Sequence, residues 1–465
     1  MFRFRDHRAV NPTPARRKIP FVPDGIAKRK ISIPLTVFAS LCLGIAHADD
    51  CHVASYRLAD GRAIDLAPAT DGALRWRMED GASGKLTRDG DAWVSTLGWT
   101  DRADGHRVTL GGCEPGEITF DGTRATKIAL DVIETRFNVD GAELAGRLLL
   151  PKGNSRVPVV VLVHGSEQTP GRQLFALQRQ FPAAGIGAFV YDKRGTGEST
   201  GTFTHDYPLL AADAAAAARE ARRLAGKRAS RLGFHGGSQG GWVAPLAATL
   251  TPVDFVIAAY GLAVSPLDED REAVALDMTR HGFGADETRK ALELARAVEA
   301  ILKSGFQRGY AEMEALRAKY SDEPWFRYLR GNVTGLLLSQ PEAFWRENGP
   351  ALFAGILPDY DPMPVLEKLR TPQLWILGSD DIDAPPQETW RRLLKLRRAG
   401  RPITAVMLKG AEHGLYTFEL DPKGERVSLA LHAEYFRLMR DFIRDGRLAP
   451  NYRDAVVVSS SPDRQ

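Results

Sequence analysis

The chain has 465 residues, of which 44% are hydrophobic and 26% are charged, and its formal net charge is +4. Its length suits two domains, and its composition is ordinary for a globular protein that buries a large core. The positive charge is concentrated near the N-terminus, because residues 1–48 hold nine lysines and arginines against two aspartates. The remainder has 53 basic and 56 acidic residues, so its charge does not indicate a nucleic-acid-binding protein.

The N-terminal segment has the three parts of a secretory signal peptide. A basic triplet at residues 28–30 precedes the apolar run Ile31–Ala46, and a small-residue A-x-A pattern ends at Ala48. The alternative is a membrane anchor, but this run is short for a transmembrane helix and contains Pro34. The sequence therefore predicts a signal peptide over residues 1–48, export to the periplasm or the medium, and no stable membrane anchor after cleavage.

Two of the three cysteines would remain after that cleavage, because Cys42 lies in the apolar run. An even pair in an exported chain predicts a disulfide bond, here between Cys51 and Cys113. The alternative is two unpaired cysteines packed as small apolar side chains.

Short alternating runs occupy residues 49–127 and predict a small antiparallel β domain. Runs such as Leu74–Met78 and Ala92–Leu97 are typical of strands, and the Asp-Gly pairs between the runs are common hairpin turns. These pairs begin at residues 60, 71, 80, 89, 104 and 121. No set of catalytic residue types stands out in this segment.

From residue 128 to residue 447, apolar strands alternate with helix-sized segments. The runs 128–139 and 142–150 predict a hairpin. Six further strands are predicted over Val157–Val163, Gly187–Tyr191, Leu232–His235, Val253–Ala259, Gln373–Leu377 and Ile403–Leu408, and helices over Asp206–Leu224, Pro386–Arg398 and Arg426–Ile443. Fully apolar strands alternating with helices predict an α/β fold, with a mostly parallel eight-stranded sheet covered by helices on both faces.

Residues 262–370 interrupt this alternation with helical patterns only. The helical segments are Leu267–Arg280, Asp286–Lys303 and Tyr310–Lys319. An insertion at the C-terminal edge of a parallel sheet lies above the ligand crevice, so we predict a helical cap. The tail over residues 448–465 is rich in serine near its end and is predicted to be disordered.

The segment Gly236–Gly241 reads GGSQGG and joins the strand Leu232–His235 to an apolar helix. This is the G-x-S-x-G pattern in a strand–turn–helix context, with Ser238 at its apex. Glycines flank the serine because strand and helix approach closely at such a turn. The start of the helix also directs the backbone N–H of Gln239 towards the space where an oxyanion would form.

The rest of the chain supplies an acid and a histidine in the order that this fold requires. Asp381 lies in a loop that reads GSDDIDAP after a predicted strand, and His413 lies in GAEHG after the last one. On these motifs the sequence resembles the α/β-hydrolase superfamily, in particular its exported esterases and dipeptidyl-peptidase-like hydrolases. The resemblance implies a triad in which Ser238 is the nucleophile, His413 the base and Asp381 the acid; Asp380 or Asp383 could take the place of Asp381.

Two further motifs match the superfamily. The loop His164-Gly165-Ser166 is similar to its oxyanion loop, so the resemblance implies that the N–H groups of Ser166 and Gln239 form the oxyanion hole. The segment YDKRGTGES, residues 191–199, resembles a turn in which Asp192 and Arg194 brace the backbone and do no chemistry.

No cofactor or metal is predicted. Gly195-Thr196-Gly197 lacks the last glycine of a dinucleotide-binding loop, since Thr200 stands in its place, and no phosphate-binding loop motif is present. There is no H-E-x-x-H motif, and the cysteines lack zinc-site spacing.

The sequence thus predicts a serine hydrolase that cleaves carboxylic esters of small or medium substrates through an acyl-enzyme. The first alternative is a serine peptidase acting on short peptides, for which carboxylates of the cap would bind a free amine. Candidates for that role are Asp268, Glu269, Asp270 and Glu272. The second alternative is a non-catalytic binding protein on a hydrolase scaffold. The sequence gives no indication of the oligomeric state.

Overall fold

The computed structural model describes residues 50–69, 72–114 and 116–459. The predicted signal peptide over residues 1–48 lies outside these ranges. Within them, no helix combines the length and the apolarity that crossing a membrane requires. The described chain forms an N-terminal β-barrel and an α/β domain with a helical insertion.

The barrel is closed by eight antiparallel strands, each paired with the next and the last with the first. The strands are β1 (Ser55–Leu58), β2 (Ala63–Pro68), β3 (Leu74–Met78), β4 (Ser83–Asp89), β5 (Ala92–Leu97), β6 (Ala103–Leu110), β7 (Glu117–Phe120) and β8 (Thr123–Lys127). Closure leaves no strand edge unpaired. The predicted antiparallel β domain is therefore confirmed, but the Asp-Gly pair at residue 104 lies inside β6 rather than in a turn. The pairing of β5 with β6 shifts register there, and Gly105 has a φ of 84° that suits a bulge.

The predicted disulfide bond is present. It joins Cys51, which precedes β1, to Cys113 in the connection between β6 and β7, with 5.6 Å between their Cα atoms. The imidazole of His52 also contacts the carbonyl oxygen of Gly111 at 2.8 Å. The segment before β1 is thus held to the β6–β7 connection at more than one point.

A nine-stranded sheet forms the centre of the α/β domain, in the order β19-β16-β15-β14-β13-β11-β12-β10-β9. Its strands are β9 (Leu130–Val139), β10 (Ala142–Pro151), β11 (Val157–Val163), β12 (Gly187–Tyr191), β13 (Ala229–Gly237), β14 (Phe255–Ala259), β15 (Gln373–Gly378), β16 (Ile403–Leu408) and β19 (Ala455–Val458). The six strands from β12 to β16 in this order run parallel, whereas β9, β10 and β19 pair antiparallel with their neighbours. The α/β-hydrolase fold is confirmed, with one more strand than predicted.

The ninth strand corrects the prediction of a disordered tail over residues 448–465. Residues Ala455–Val458 pair antiparallel with β16 at the edge of the sheet. Three consecutive valines favour a strand, and β16 offers an otherwise open row of backbone groups. The prediction of disorder rested on the serines near the end of the chain and overlooked the short apolar run before them.

The helix predicted over Arg426–Ile443 is also wrong in its first third. Residues Arg426–Leu431 form a strand, β18, which pairs with β17 (Tyr416–Leu420) in a separate hairpin. The hairpin lies against the barrel, where the N–H of Trp99 donates to Ser428 O and the N–H of Leu431 donates to Gly81 O. These hydrogen bonds to the barrel support β18 as a strand, and the sequence around residues 426–431 gives no sign of them.

Helices cover both faces of the central sheet, as predicted. They are α1 (Gly171–Leu174), α2 (Leu177–Ala183), α3 (Tyr207–Ala225), α4 (Gly240–Leu250), α11 (Pro386–Arg398) and α12 (Tyr435–Asp445). Alternate residues of β11 point to opposite faces: Val159 and Val161 pack with α3 and α4, whereas Val160 packs with α2 and α12. Such a strand is apolar throughout because both its faces are buried.

The insertion between β14 and β15 consists of α5 (Pro266–Arg280), α6 (Ala285–Lys303), α7 (Tyr310–Tyr320), α8 (Thr334–Leu338), α9 (Glu342–Leu352) and α10 (Met363–Lys368). It has an apolar core of its own, which includes the buried rings of Trp325 and Trp345. Asp270 anchors α8, because its carboxylate accepts backbone N–H bonds from residues 332–334 and the hydroxyl of Thr334.

Candidate active site

Ser238 lies in a strained turn at the C-terminal end of β13, the central strand of the sheet. Its φ is 53°, a left-handed conformation that non-glycine residues rarely adopt. A Cβ on Gly236 would lie 2.2 Å from Gly240 O, and one on Gly237 would lie 2.3 Å from the Tyr260 hydroxyl. Both glycines are therefore required by close packing; the motif predicts the first of them, Gly236.

The structure brings the three predicted triad residues together. The Nε2 atom of His413 lies 3.1 Å from Ser238 Oγ, and its Nδ1 atom lies 2.9 Å from an oxygen of Asp381. Because a carboxylate only accepts, Nδ1 carries the proton and Nε2 presents its lone pair to the serine hydroxyl. Such an arrangement can withdraw the proton of the hydroxyl during attack on an electrophile.

Asp381 is the aspartate of this loop whose carboxylate hydrogen-bonds to His413. Its second oxygen accepts the N–H groups of Asp383 and Ala384, at 3.0 and 2.7 Å, which fixes the carboxylate in place. Asp380 instead accepts the hydroxyl of Ser379. The two alternatives left open by the sequence are thus distinguished by geometry.

The environment of His413 favours its charged form. Burial opposes the imidazolium, but the neighbouring Asp381 carboxylate and its hydrogen bond outweigh burial and raise the pKa of His413 above its usual value. The ring also packs edge-on against Tyr260, with 5.1 Å between centroids. The imidazole is therefore both oriented and electrostatically supported.

The loop after β11 places Ser166 in the same cavity as Ser238. The carbonyl oxygen of Gly165 accepts bonds from Lys193 Nζ at 3.0 Å and from Gln239 Nε2 at 3.2 Å. This carbonyl shares a peptide plane with the Ser166 N–H, and the two groups of a trans peptide point in opposite directions. Fixing the carbonyl thus fixes the direction of the Ser166 N–H. Gln239 is the N-cap residue immediately before α4.

Sequence reasoning missed Lys193 and His205. Lys193 is buried, which lowers its pKa to about 8, and its ammonium lies 4.6 Å from the centre of the Phe203 ring. The imidazole of His205 contacts the Gln239 side-chain oxygen at 2.8 Å. The sequence signal for Lys193 was its place in the motif at residues 191–199, and that motif assigns no role to a lysine.

The other residues of that turn stay away from Ser238. Asp192 accepts the N–H groups of Arg172 and Glu198, and Arg194 forms a buried, two-bond ion pair with Asp213. His164 is buried among rings, and burial lowers its pKa to about 3. These side chains hold the loops in place.

A cavity of about 670 Å³ contains Ser238 and His413. Its wall combines three parts of the chain: Phe175 from the α/β domain, Leu352 from the helical insertion and Arg77 from the barrel. None of the four carboxylates proposed for an amine site, residues 268, 269, 270 and 272, is among the described residues that line it.

One group of potential metal ligands is close enough to share an ion within the described ranges. It comprises Cys51, His52 and Cys113, whose two sulfurs are joined in the disulfide bond.

Comparison with known proteins gives one family and several distant structures. An esterase from Pyrococcus furiosus is 15% identical, covers 62% of this chain and 84% of its own, and has a TM-score of 0.40. An esterase from Thermogutta terrifontis is 22% identical, with 61% and 91% covered and a TM-score of 0.34. An acylaminoacyl peptidase from Pyrococcus horikoshii is 16% identical, with 84% and 57% covered and a TM-score of 0.41. No curated protein matches the chain.

The sequence profile of the alpha/beta hydrolase family matches residues 160–426, more than half of the chain. This segment runs from β11 to the hairpin after His413 and includes the whole serine, aspartate and histidine cluster. The resemblance inferred from the sequence is therefore confirmed, and the chain belongs to the alpha/beta-hydrolase family.

Proposed function

We propose that this protein is a serine hydrolase that cleaves carboxylic esters through a covalent acyl-enzyme. The observation that carries the proposal is the position of His413, whose two ring nitrogens contact Ser238 Oγ and the Asp381 carboxylate. A serine hydroxyl is a poor nucleophile without such a base.

In the proposed reaction Ser238 Oγ attacks the ester carbonyl carbon and its proton passes to His413 Nε2. The carbonyl oxygen becomes an oxyanion, which accepts bonds from the N–H groups of Ser166 and Gln239. His413 then gives the proton to the departing alcohol, and a water molecule, activated in the same way, hydrolyses the acyl-enzyme. Asp381 stabilises the imidazolium that forms in both steps.

A serine peptidase that binds a free amine is the second candidate, and the surroundings of the cap carboxylates count against it. Asp270 already accepts four hydrogen bonds around the start of α8. The carboxylate of Asp268 accepts the N–H and the hydroxyl of Ser265, the N-cap residue of α5, and pairs with Arg271. The cavity wall contains a cation, Arg77, which would repel an ammonium group near it, and two carboxylates, Glu167 and Asp383, elsewhere. An ester substrate fits these surroundings better.

Labelling with a fluorophosphonate probe tests the nucleophile. Ser238 should be labelled in the wild-type protein, while Ser238→Ala remains unlabelled although it is folded. A folded wild-type protein that is not labelled would instead support a binding protein without catalysis. Comparing p-nitrophenyl acyl esters with aminoacyl-p-nitroanilides then separates the two enzyme classes, and faster turnover of the anilides would reject the esterase.

We also propose that the protein acts outside the cytoplasm and that residues 262–370 serve as its cap. The Cys51–Cys113 disulfide supports an oxidising compartment. Leu352 in the cavity wall supports the cap. Fractionation of producing cells should find the protein, shortened at its N-terminus, in the periplasm or the medium.

A further inference from the structure

Arg77 brings a positive charge from the β-barrel into the cavity that contains Ser238. We propose that Arg77 binds a carboxylate of the substrate, so that the enzyme prefers esters carrying a negative charge and the barrel forms part of the substrate site. The inference rests on the proposed function, because it names the class of ester that the same site accepts.

The direction of Arg77 follows from the alternation of β3, which reads LRWRM. Leu74, Trp76 and Met78 fill the core of the barrel. Arg75 and Arg77 therefore project outwards, towards the α/β domain. The outward position places Arg77 in the wall of the cavity.

The two outward arginines differ in how their charge is accommodated. Arg75 donates to Gly98 O at 2.7 Å, and its guanidinium lies 4.0 Å from the centre of the Trp99 ring. The Nη1 atom of Arg77 is buried and has no hydrogen-bond partner among the described residues. The guanidinium of Arg75 thus has partners within the protein, whereas Arg77 keeps an N–H donor that a ligand can use.

The acidic residue opposite Arg77 in the barrel already has another partner. Asp65 lies directly opposite it in the pairing of β2 with β3. However, both carboxylate oxygens of Asp65 accept bonds from Arg179, at 2.8 and 2.9 Å, and one also accepts the hydroxyl of Ser55. Arg179, from α2, has therefore taken the partner that Arg77 would otherwise have.

The carboxylates that line the cavity are Glu167 and Asp383. Glu167 lies in the loop after β11, where it accepts the N–H of Gly165 at 3.2 Å. The ionisable groups that affect the pKa of Arg77, after burial, which lowers it, are Tyr416, Asp65 and Arg179. Asp65 offsets part of the charge of Arg77, but both of its oxygens already accept bonds from Arg179.

A guanidinium is charged at any physiological pH and its planar fork matches a carboxylate. A buried donor without a partner is costly, and a charge-assisted bond to a ligand removes that cost. A ligand carboxylate is thus the group that best completes this wall.

The hairpin β17–β18 holds Arg77 in a fixed position relative to the triad. Tyr416 follows His413 by three residues, packs edge-on against Trp99 of the barrel at 4.7 Å and lines the cavity beside Arg77. Leu431 pairs directly with Tyr416 across the hairpin, and its N–H donates to Gly81 O of the barrel. A substrate whose carboxylate contacts Arg77 is therefore anchored next to the histidine loop.

The experiment compares esters that differ only by a carboxylate, on either side of the scissile bond. One pair is p-nitrophenyl valerate and mono-p-nitrophenyl glutarate, which differ in the acyl group. The other pair is methyl 4-acetoxybenzoate and 4-acetoxybenzoate, which differ in the leaving group. In at least one of the two pairs, kcat/KM for the charged ester should exceed kcat/KM for the neutral ester by about tenfold or more. This is the effect expected of one charge-assisted hydrogen bond.

Arg77→Gln should reduce this ratio to about one. Arg77→Lys should retain part of the ratio, because the charge remains but the fork is lost. The matched control is Arg124→Gln, which removes an exposed arginine from β8 of the same barrel and should leave the ratio unchanged. The absence of a preference in both pairs, or a preference that persists in Arg77→Gln, would overturn the inference.

A binding measurement separates this inference from the proposed function. Glutarate should raise the melting temperature of Ser238→Ala and should leave that of Ser238→Ala with Arg77→Gln unchanged. Stabilisation by glutarate without any ester hydrolysis would contradict the proposed function and retain the carboxylate site. Hydrolysis of neutral esters without this stabilisation would do the opposite.

Discussion

The protonation of His413 should govern how the enzyme responds to pH. Burial opposes the imidazolium, but Asp381 raises the pKa of His413 above the usual 6.5. Since only the neutral ring accepts the serine proton, kcat/KM for a neutral ester should fall as the pH drops through a midpoint above 6.5. Asp381→Asn removes the carboxylate, so the midpoint should move to lower pH and kcat should decrease by about 10⁴-fold.

Glu269 provides the control for this profile, because burial raises its pKa to about 7. If His413 is the titrating group, Glu269→Gln keeps the acid limb of the profile. Loss of that limb in Glu269→Gln, or an unmoved midpoint in Asp381→Asn, would contradict the assignment.

Lys193 should act through the orientation of a peptide group rather than through contact with the substrate. Its ammonium holds Gly165 O at 3.0 Å and so directs the Ser166 N–H. In Lys193→Met only the side-chain amide of Gln239 still holds this carbonyl. The Ser166 N–H then points less accurately at the oxyanion of the transition state. We expect kcat to fall by about tenfold or more, less than the 10²–10³ for a lost donor, with KM little changed.

Phe203→Leu is the matched control for Lys193, because it removes the ring under the ammonium and leaves the bond to Gly165. It should retain most of kcat. Steady-state kinetics on one neutral ester measures both variants, and an increase in KM alone would show that Lys193 serves substrate binding instead.

At the scale of elements, the sequence predicts what local patterns determine. The runs Leu74–Met78 and Ala92–Leu97 coincide with β3 and β5, and Pro386–Arg398 coincides with α11. The elements that were missed depend on partners far along the chain. β18 lies against the barrel and β19 against β16, and neither contact has a local signature.

The site divides in the same way. Ser238, Asp381 and His413 occur in motifs whose residues must be neighbours in sequence to shape a turn or a loop. Arg77 has no motif, because its role depends on Asp65 being occupied by an arginine more than a hundred residues away. No periodicity in the barrel sequence distinguishes Arg77 from Arg75.

The disulfide bond should stabilise the barrel mainly by restricting its unfolded chain. It closes a loop of 62 residues, for which the chain-entropy model gives about 4 kcal/mol. The variant Cys51→Ser with Cys113→Ser should lose about that free energy of unfolding, measured by urea denaturation. The folded barrel should persist, since His52 still contacts Gly111 O and the hydroxyl of Tyr56 donates to His52 O.

A reducing agent supplies the corresponding control. It should destabilise the wild-type protein by a similar amount and leave the double variant unaffected. Equal stability of the oxidised wild-type protein and the variant would show that the bond does not restrict the unfolded state.

At the scale of the whole molecule, one buried ion pair connects the barrel to the α/β domain and also determines the state of Arg77. The side chains of Arg179 and Asp65 are 10% and 1% exposed. Weaker contacts surround the pair: Arg57 donates to Ala183 O, and Arg440 pairs with Glu79. Domain attachment and substrate selectivity are therefore linked through a single carboxylate.

Arg179→Met should reduce both stability and the preference for charged esters. Leaving a buried charge uncompensated costs about 3–5 kcal/mol, and urea denaturation should show a smaller loss because Asp65 can find a new partner. Asp65 is then free to pair with Arg77, which faces it across the strands. With Arg77 occupied, the ratio of kcat/KM between charged and neutral esters should decrease, although no cavity residue has been changed.

Adding Asp65→Asn to Arg179→Met removes the competing carboxylate, so the double variant should regain the ester preference and part of the stability. The two readouts separate the effects of Arg179, because a loosened barrel alone would reduce the ratio in both variants. If the ratio recovers only when Asp65 is neutral, then the Asp65 carboxylate and the substrate carboxylate compete for Arg77. An unchanged ratio in Arg179→Met would mean that Asp65 does not reach Arg77, and the link between attachment and selectivity would be wrong.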